Sequence, residues 1–145
     1  MNDDELARAI ERRDNVLGPN RPRLPDGPAH PAVEEWLQYL TEDAWGGVWA
    51  RPGISLKTRS LITVVALVVM GKSEEMEGHL VGALRNGWTP EELKEVFIHV
   101  SRYAGYPAGV GAFRVANRVF AHLDDVGVAT PEPNDGGAKS TDSQG

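Results

Sequence analysis

Apolar residues recur every three or four positions along most of the chain, a spacing that predicts helices rather than strands. Residues 3–17 carry Leu6, Ala9, Ile10, Val16 and Leu17 on one side of a short amphipathic helix that Gly18-Pro19 stops. Val33, Trp36, Leu37 and Leu40 define a second helix over about 31–44, followed by Trp45-Gly46-Gly47-Val48-Trp49 and a break at Pro52-Gly53. Two tryptophans beside a double glycine predict a compact aromatic corner, which can serve as core, as a subunit contact or as a pocket wall. The stretch Thr58–Met70 is apolar on every face, so periodicity alone leaves helix and strand open. Its Val and Ile content favours a strand and its length a buried helix. The helix is expected, because a lone strand would leave its backbone N–H and C=O groups without partners.

The remaining helices are better punctuated. Ser73 reads as an N-cap with Glu74 and Glu75 in the first turn, where the helix dipole favours negative charge. Met76, Leu80, Ala83 and Leu84 form the stripe that follows, and Asn86-Gly87 ends it. Thr89-Pro90-Glu91-Glu92 is a capping box with proline at the first helical position, leading into Leu93, Val96, Phe97 and Val100. Gly105 closes that helix, and Pro107 opens a last one carrying Val110, Phe113, Ala116, Val119, Phe120 and Leu123. The pattern predicts an all-α single domain over 31–124. A helix and proline-rich arm precede it over 1–30, where a proline at every third position from Pro19 to Pro31 suits an extended connector. A tail of Pro, Gly, Asp, Ser and Thr over 125–145 has too few apolar residues to offset its ordering entropy and is expected to be disordered.

Composition removes several function classes. The chain has 145 residues and no cysteine, so disulfides, thiolate nucleophiles, dithiol redox chemistry and cysteine-ligated metals are out of reach. The net charge is −6, half of it in the tail, which argues against nucleic acid as a partner. A small anionic ligand would need a few placed arginines, because the overall field would not steer it in. The apolar run Leu61–Met70, interrupted by Thr63, is too short to cross a bilayer. The acidic start Asp3-Asp4-Glu5 is unlike a secretory leader, so the expected compartment is the cytoplasm with no membrane partner.

Glu75 and His79 are four apart on one predicted helix and can share a face. A carboxylate touching an imidazole raises its pKa, which suits acid/base work near neutral pH. The same spacing also describes a solvated surface pair or, with His99 as third ligand, a metal site. Arg51, Lys57 and Arg59 flank the Pro52-Gly53 break, and arginine holds a carboxylate with two parallel hydrogen bonds. Arg102, Tyr103 and Arg114 are further candidates that equally fit surface or helix contacts. Gly105-Tyr106-Pro107-Ala108-Gly109 lacks the lysine and preceding strand of a phosphate loop and reads as a helix–helix turn.

Taken in order, several blocks resemble the carboxymuconolactone decarboxylase family. They are Ala44-Trp45-Gly46-Gly47-Val48-Trp49-Ala50-Arg51-Pro52-Gly53, Leu56-Lys57-Thr58-Arg59-Ser60-Leu61, Gly71, Glu75 and Gly78-His79-Leu80. Ala83-Leu84-Arg85-Asn86-Gly87, Tyr103-Ala104-Gly105-Tyr106-Pro107-Ala108 and Ala112-Phe113-Arg114-Val115-Ala116 complete the set. The resemblance spans about residues 33–121 and implies an AhpD-like helical bundle. The wider superfamily includes thiol peroxidases in which a Cys-x-x-Cys pair precedes the histidine by seven and four residues. Those positions are Lys72 and Glu75, so the resemblance implies the decarboxylase branch.

The family's typical substrate is an unsaturated five-membered lactone, formed in protocatechuate breakdown, with a carboxylate at the ring carbon to be cleaved and an acetate arm. Its own carbonyl accepts the electrons left by CO2, so no cofactor is implied. The protein must hold a dianion, stabilise charge on the lactone oxygen, desolvate the departing carboxylate and supply a proton to ring carbon. The resemblance implies His79 as proton donor or oxyanion partner, oriented by Glu75. Arg51 or Arg59 would bind the acetate arm, Trp45 and Trp49 would wall the pocket, and Tyr103 would donate a hydrogen bond. It also implies a homo-oligomer, a hexamer or trimer. Two rivals stay open: a cofactor-free enzyme of the same fold acting on another carbonyl compound, and a non-catalytic oligomeric binding protein.

Overall fold

The computed structural model describes residues 1–18, 28–125 and 128. The helices are α1 (Asp3–Leu17), α2 (Pro31–Leu40), a π-helical segment (Thr41–Val48), α3 (Leu56–Met70), α4 (Ser73–Arg85), α5 (Pro90–Ala104) and α6 (Tyr106–Phe120). The fold is all-α, as expected, with no strand among the described residues. The ambiguous apolar stretch is helical, and Ser55 begins it by accepting a hydrogen bond from the Thr58 amide. Most of the proline-rich connector and nearly all of the tail lie outside the described residues.

Local chemistry sets the helix ends. The Thr89 capping box forms as expected: the Glu92 amide donates to Thr89 Oγ1 and the Thr89 amide to the Glu92 carboxylate. Asn2 and Glu5 build the same device at the start of α1. Gly71 ends α3 at φ 69°, in the left-handed region that a side chain resists. Ser73 is the first helical residue of α4 instead of its cap; Lys72 holds the cap position and makes no side-chain bond there.

The second helix runs further than its apolar pattern indicates. Beyond Leu40 the chain continues in a wider turn to Val48, closed by the Trp49 amide donating five residues back to the Ala44 carbonyl at 2.8 Å. The pair Gly46-Gly47 adds no side chain to this turn, and the tryptophan corner is therefore helical.

Two apolar clusters form. The larger joins α3, α4, α5 and α6 through Val64, Val68, Met76, Leu80, Leu93, Phe97, Val115 and Val119. The smaller joins α1 to the π-helical segment through Ala9, Val16, Leu17, Trp45 and Trp49. The expected stripe of α6 holds at Ala116, Val119 and Leu123 and fails at its first turns. The helix buries Gly109, Ala112, Val115, Ala116 and Val119, while Val110 is exposed and Phe113, also partly exposed, meets buried Phe97 edge-on. Close crossing decides this, since a Cβ on Gly109 would overlap the Ser101 hydroxyl of α5. Helix α3 buries only Ser60, Val64 and Val68, leaving Ile62, Val69 and Met70 exposed. Turns are pinned by side chains: Trp88 Nε1 donates to the Lys57 carbonyl, and Asn86 Nδ2 donates to Ser60 Oγ and the Gly82 carbonyl. No helix among the described residues is long and apolar enough to cross a membrane.

Candidate active site

Where the two clusters meet, α4 presents His79 to the tryptophan corner. The Trp45 and Trp49 rings stack at 4.8 Å between centroids. The imidazole lies nearly parallel to both, at 6.4 Å from Trp45 and 6.3 Å from Trp49. This stack borders a cavity of about 620 Å³ whose wall includes Arg13, Leu40, Thr41, Thr63, Glu75 and His79. Helix α2 overhangs it with Trp36, Leu37 and Leu40 and contributes no fully buried residue. The corner is fixed from behind, where Arg12 Nη1 donates to the Trp45 carbonyl at 2.8 Å.

Burial among aromatic groups disfavours the charged imidazole and lowers the His79 pKa from its ordinary 6.5 to about 4. The ring is therefore neutral at pH 7, able to donate from one nitrogen and accept at the other. This reverses the direction expected from the Glu75–His79 spacing. Both side chains line the cavity, yet no ion pair or hydrogen bond joins them, and desolvation decides the shift. Glu75 is exposed at the cavity edge next to Glu74.

The other expected site residues are dispersed. Arg59 Nη2 donates to the Arg51 carbonyl at 2.7 Å, its Nε is buried without a partner among the described residues, and neither arginine lines the cavity. The link from Arg59 to the cavity is indirect: Thr63, one turn on, donates to the Arg59 carbonyl and does line it. Tyr103 is 80% exposed and packs on His99 with ring centroids 5.1 Å apart. His99 thus stands apart from Glu75 and His79, and no cluster of three His, Asp or Glu side chains suited to a metal forms among the described residues.

Arg13 is the cavity residue that sequence reasoning missed. Its Nε donates to Asp14 Oδ1 at 3.1 Å, while Nη1 and Nη2 bond to none of the described residues. The signal was present in the spacing. Arg13 lies four residues after Ala9 and four before Leu17, both buried, so the helical period places a cation on the apolar stripe of α1.

A helical bundle thus holds a neutral histidine against a paired-indole wall, with carboxylates and, among the described residues, one guanidinium around the same cavity. The chain belongs to the carboxymuconolactone decarboxylase family, whose sequence profile matches residues 34–118. It is 36% identical over 135 residues to the 4-carboxymuconolactone decarboxylase of Acinetobacter baylyi, covering 92% of this chain and 98% of that protein. It is 33% identical over 129 residues to the nitrosuccinic acid decarboxylase npaB of Metarhizium robertsii, covering 86% and 90%. An uncharacterized 15.0 kDa protein of Paracoccus denitrificans shares 32% identity over 100 residues, covering 65% and 75%.

Proposed function

We propose that the chain is a carboxy-lyase that converts 4-carboxymuconolactone to 3-oxoadipate enol-lactone without a cofactor. The observation that carries this reading is the neutral His79 held between cavity and indole pair, in a chain 36% identical to a named decarboxylase of that lactone. In the reaction the bond between the ring carbon and its carboxylate breaks, and its electron pair moves through the ring double bond to the lactone carbonyl. A dienolate results. One proton then adds to the ring carbon beside the carbonyl, giving the enol-lactone and CO2.

Each step has a group suited to it. The N–H of neutral His79 donates to the lactone oxygen as negative charge grows there; a neutral donor gives this stabilisation without having to be charged in an apolar setting. Trp45 and Trp49 exclude water from the departing carboxylate. Glu75, at the exposed edge of the same wall, relays the proton from solvent to ring carbon. The electrons have their acceptor within the substrate, so turnover is expected to be the same with and without a chelator.

A related dicarboxylic acid is the second reading, favoured by the 33% identity to a nitrosuccinic acid decarboxylase. Nitrosuccinic acid and 4-carboxymuconolactone share one arrangement: a carbon bearing both a carboxylate and a carboxymethyl arm, with an electron-accepting group attached to that carbon in the first and conjugated with it through the ring double bond in the second. Arg51, Arg59 and Tyr103 enter this proposal as groups that a neighbouring subunit brings to the cavity of a homo-oligomer, a hexamer or trimer. Exposed Ile62, Val69, Met70, Ile98 and Val110 are the apolar surface such an assembly would cover.

The kcat–pH profile tests the role of His79. The expected profile has no inflection near 6.5, because the imidazole stays neutral until about pH 4. A fall in kcat centred at 6.5 would show an ordinary, solvated histidine and remove the proposed donor.

A further inference from the structure

We infer that Arg13 of α1 grips the carboxylate that the substrate keeps, the carboxymethyl arm, and so decides which of two carboxylates is lost. This rests on the proposed decarboxylation of an acid whose reacting carbon bears both groups. Among the described residues of this subunit that wall the cavity, Arg13 is the one cation: His79 is neutral at pH 7, and Glu74 and Glu75 are acidic. Asp14 holds the guanidinium at Nε, while Nη1 and Nη2 bond to none of the described residues and remain available as a two-pronged donor.

The chemistry assigns that donor to the retained arm. A carboxylate that becomes CO2 gives up its charge on the way to the transition state. A cation bound to it would stabilise the ground state more than the transition state and slow the reaction. A cation on the retained arm keeps its partner throughout and lowers KM without opposing catalysis. Within one subunit, productive binding places the arm on Arg13 and leaves the other carboxylate to the indole wall and the acidic rim.

The fold fixes Arg13 in this place. Helix α1 lies close along α4; a Cβ on Gly82 would approach the Val16 carbonyl to 3.1 Å, and one on Gly18 would approach the Arg85 side chain to 3.1 Å. Arg12, the preceding residue, ties the same helix to the Trp45 carbonyl. Helix α1 therefore forms part of the site.

Ligand binding to the full-length protein provides the test. Three of the four tryptophans, Trp36, Trp45 and Trp49, line the cavity, so intrinsic fluorescence reports occupancy. Two probes separate the carboxylates: muconolactone keeps the arm and lacks the ring carboxylate, and the butenolide carboxylate keeps the ring carboxylate and lacks the arm. Arg13→Met is expected to weaken muconolactone binding roughly 10- to 100-fold and to leave the butenolide carboxylate within about twofold. Arg13→Lys, which keeps the charge and loses the fork, should fall between. With 4-carboxymuconolactone, Arg13→Met should raise KM by a similar factor while kcat stays within about threefold. Unchanged muconolactone binding, a loss confined to the butenolide carboxylate, or a kcat that rises in Arg13→Met would overturn the inference. So would a wild-type protein that binds neither probe. Arg13-dependent muconolactone binding without CO2 release would leave the arginine's role standing and refute the decarboxylation. CO2 release with an unchanged KM in Arg13→Met would do the reverse. Far-UV circular dichroism of both variants separates misfolding from lost recognition.

Discussion

The desolvated imidazole has a consequence for stability that can be measured without any substrate. Burial takes the His79 pKa from 6.5 to about 4, a gap equivalent to roughly 3 kcal/mol between its two protonation states. The folded pKa is the lower one, so the folded state binds the proton less readily than the unfolded chain. Above pH 6.5 the ring is neutral in both states and the full stability is present. Between 6.5 and 4 the unfolded chain takes up a proton that the folded protein refuses, and stability falls by at most about 1.4 kcal/mol per pH unit. By pH 5 the accumulated loss is about 2 kcal/mol, and below 4 this group adds nothing more. Urea unfolding followed by tryptophan fluorescence, at pH 7.5 and 5.0, constant salt and constant protein concentration, measures it. Other groups titrate over the same range, so the quantity of interest is the difference between wild type and His79→Gln. The wild type is expected to lose about 2 kcal/mol more than the variant between the two pH values. Equal losses would mean that His79 is not desolvated, and the proposed neutral donor would have no physical basis.

Other consequences lie in packing and capping. Gly109→Ala forces a methyl group into the Ser101 side chain, with Ser101 Cβ at 2.9 Å; a loss of about 1–3 kcal/mol in urea unfolding is expected, outweighing the helix propensity gained. Thr89→Ala removes an N-cap that pairs with Glu92 and should lower stability by about 1 kcal/mol, with KM unchanged. Gly82→Val pushes on the Val16 carbonyl and the Leu17 side chain. It should displace α1 and raise KM for the lactone at least as much as it lowers the thermal midpoint; an unchanged KM would separate α1 from the site.

Fold class was legible because four of the helices carry plain punctuation: the stop at Gly18, the prolines at the first turns of α2 and α5, the Thr89 box and the glycines after α3 and α5. The face that each helix buries was less legible. Val110 and Phe113 fit the apolar stripe of α6 as well as Ala112 and Val115 do, and only the close approach of Gly109 to Ser101 decides between them. The π-helical turn carries no propensity signal that sets it apart from an ordinary helix end followed by a glycine loop. At the site, His79, Glu75, Trp45 and Trp49 were found in sequence and meet at one cavity. The sign of the His79 shift was not, because residue spacing shows a neighbouring carboxylate while desolvation by two distant indoles emerges only in three dimensions. Arg13 escaped for a related reason. Three arginines within six residues look like a solvated face, and its place on the stripe gains meaning only once α1 is seen to cover the cavity.

The central claim is that a neutral imidazole against an indole wall drives loss of CO2 from a carboxylated lactone. Its most direct measurement is CO2 released per 4-carboxymuconolactone consumed at pH 7, by the wild type and by His79→Gln under identical conditions. One CO2 per lactone is expected for the wild type, with a rate roughly 10²- to 10³-fold lower in the variant. No CO2 from the wild type, or equal rates from the two proteins, would contradict it.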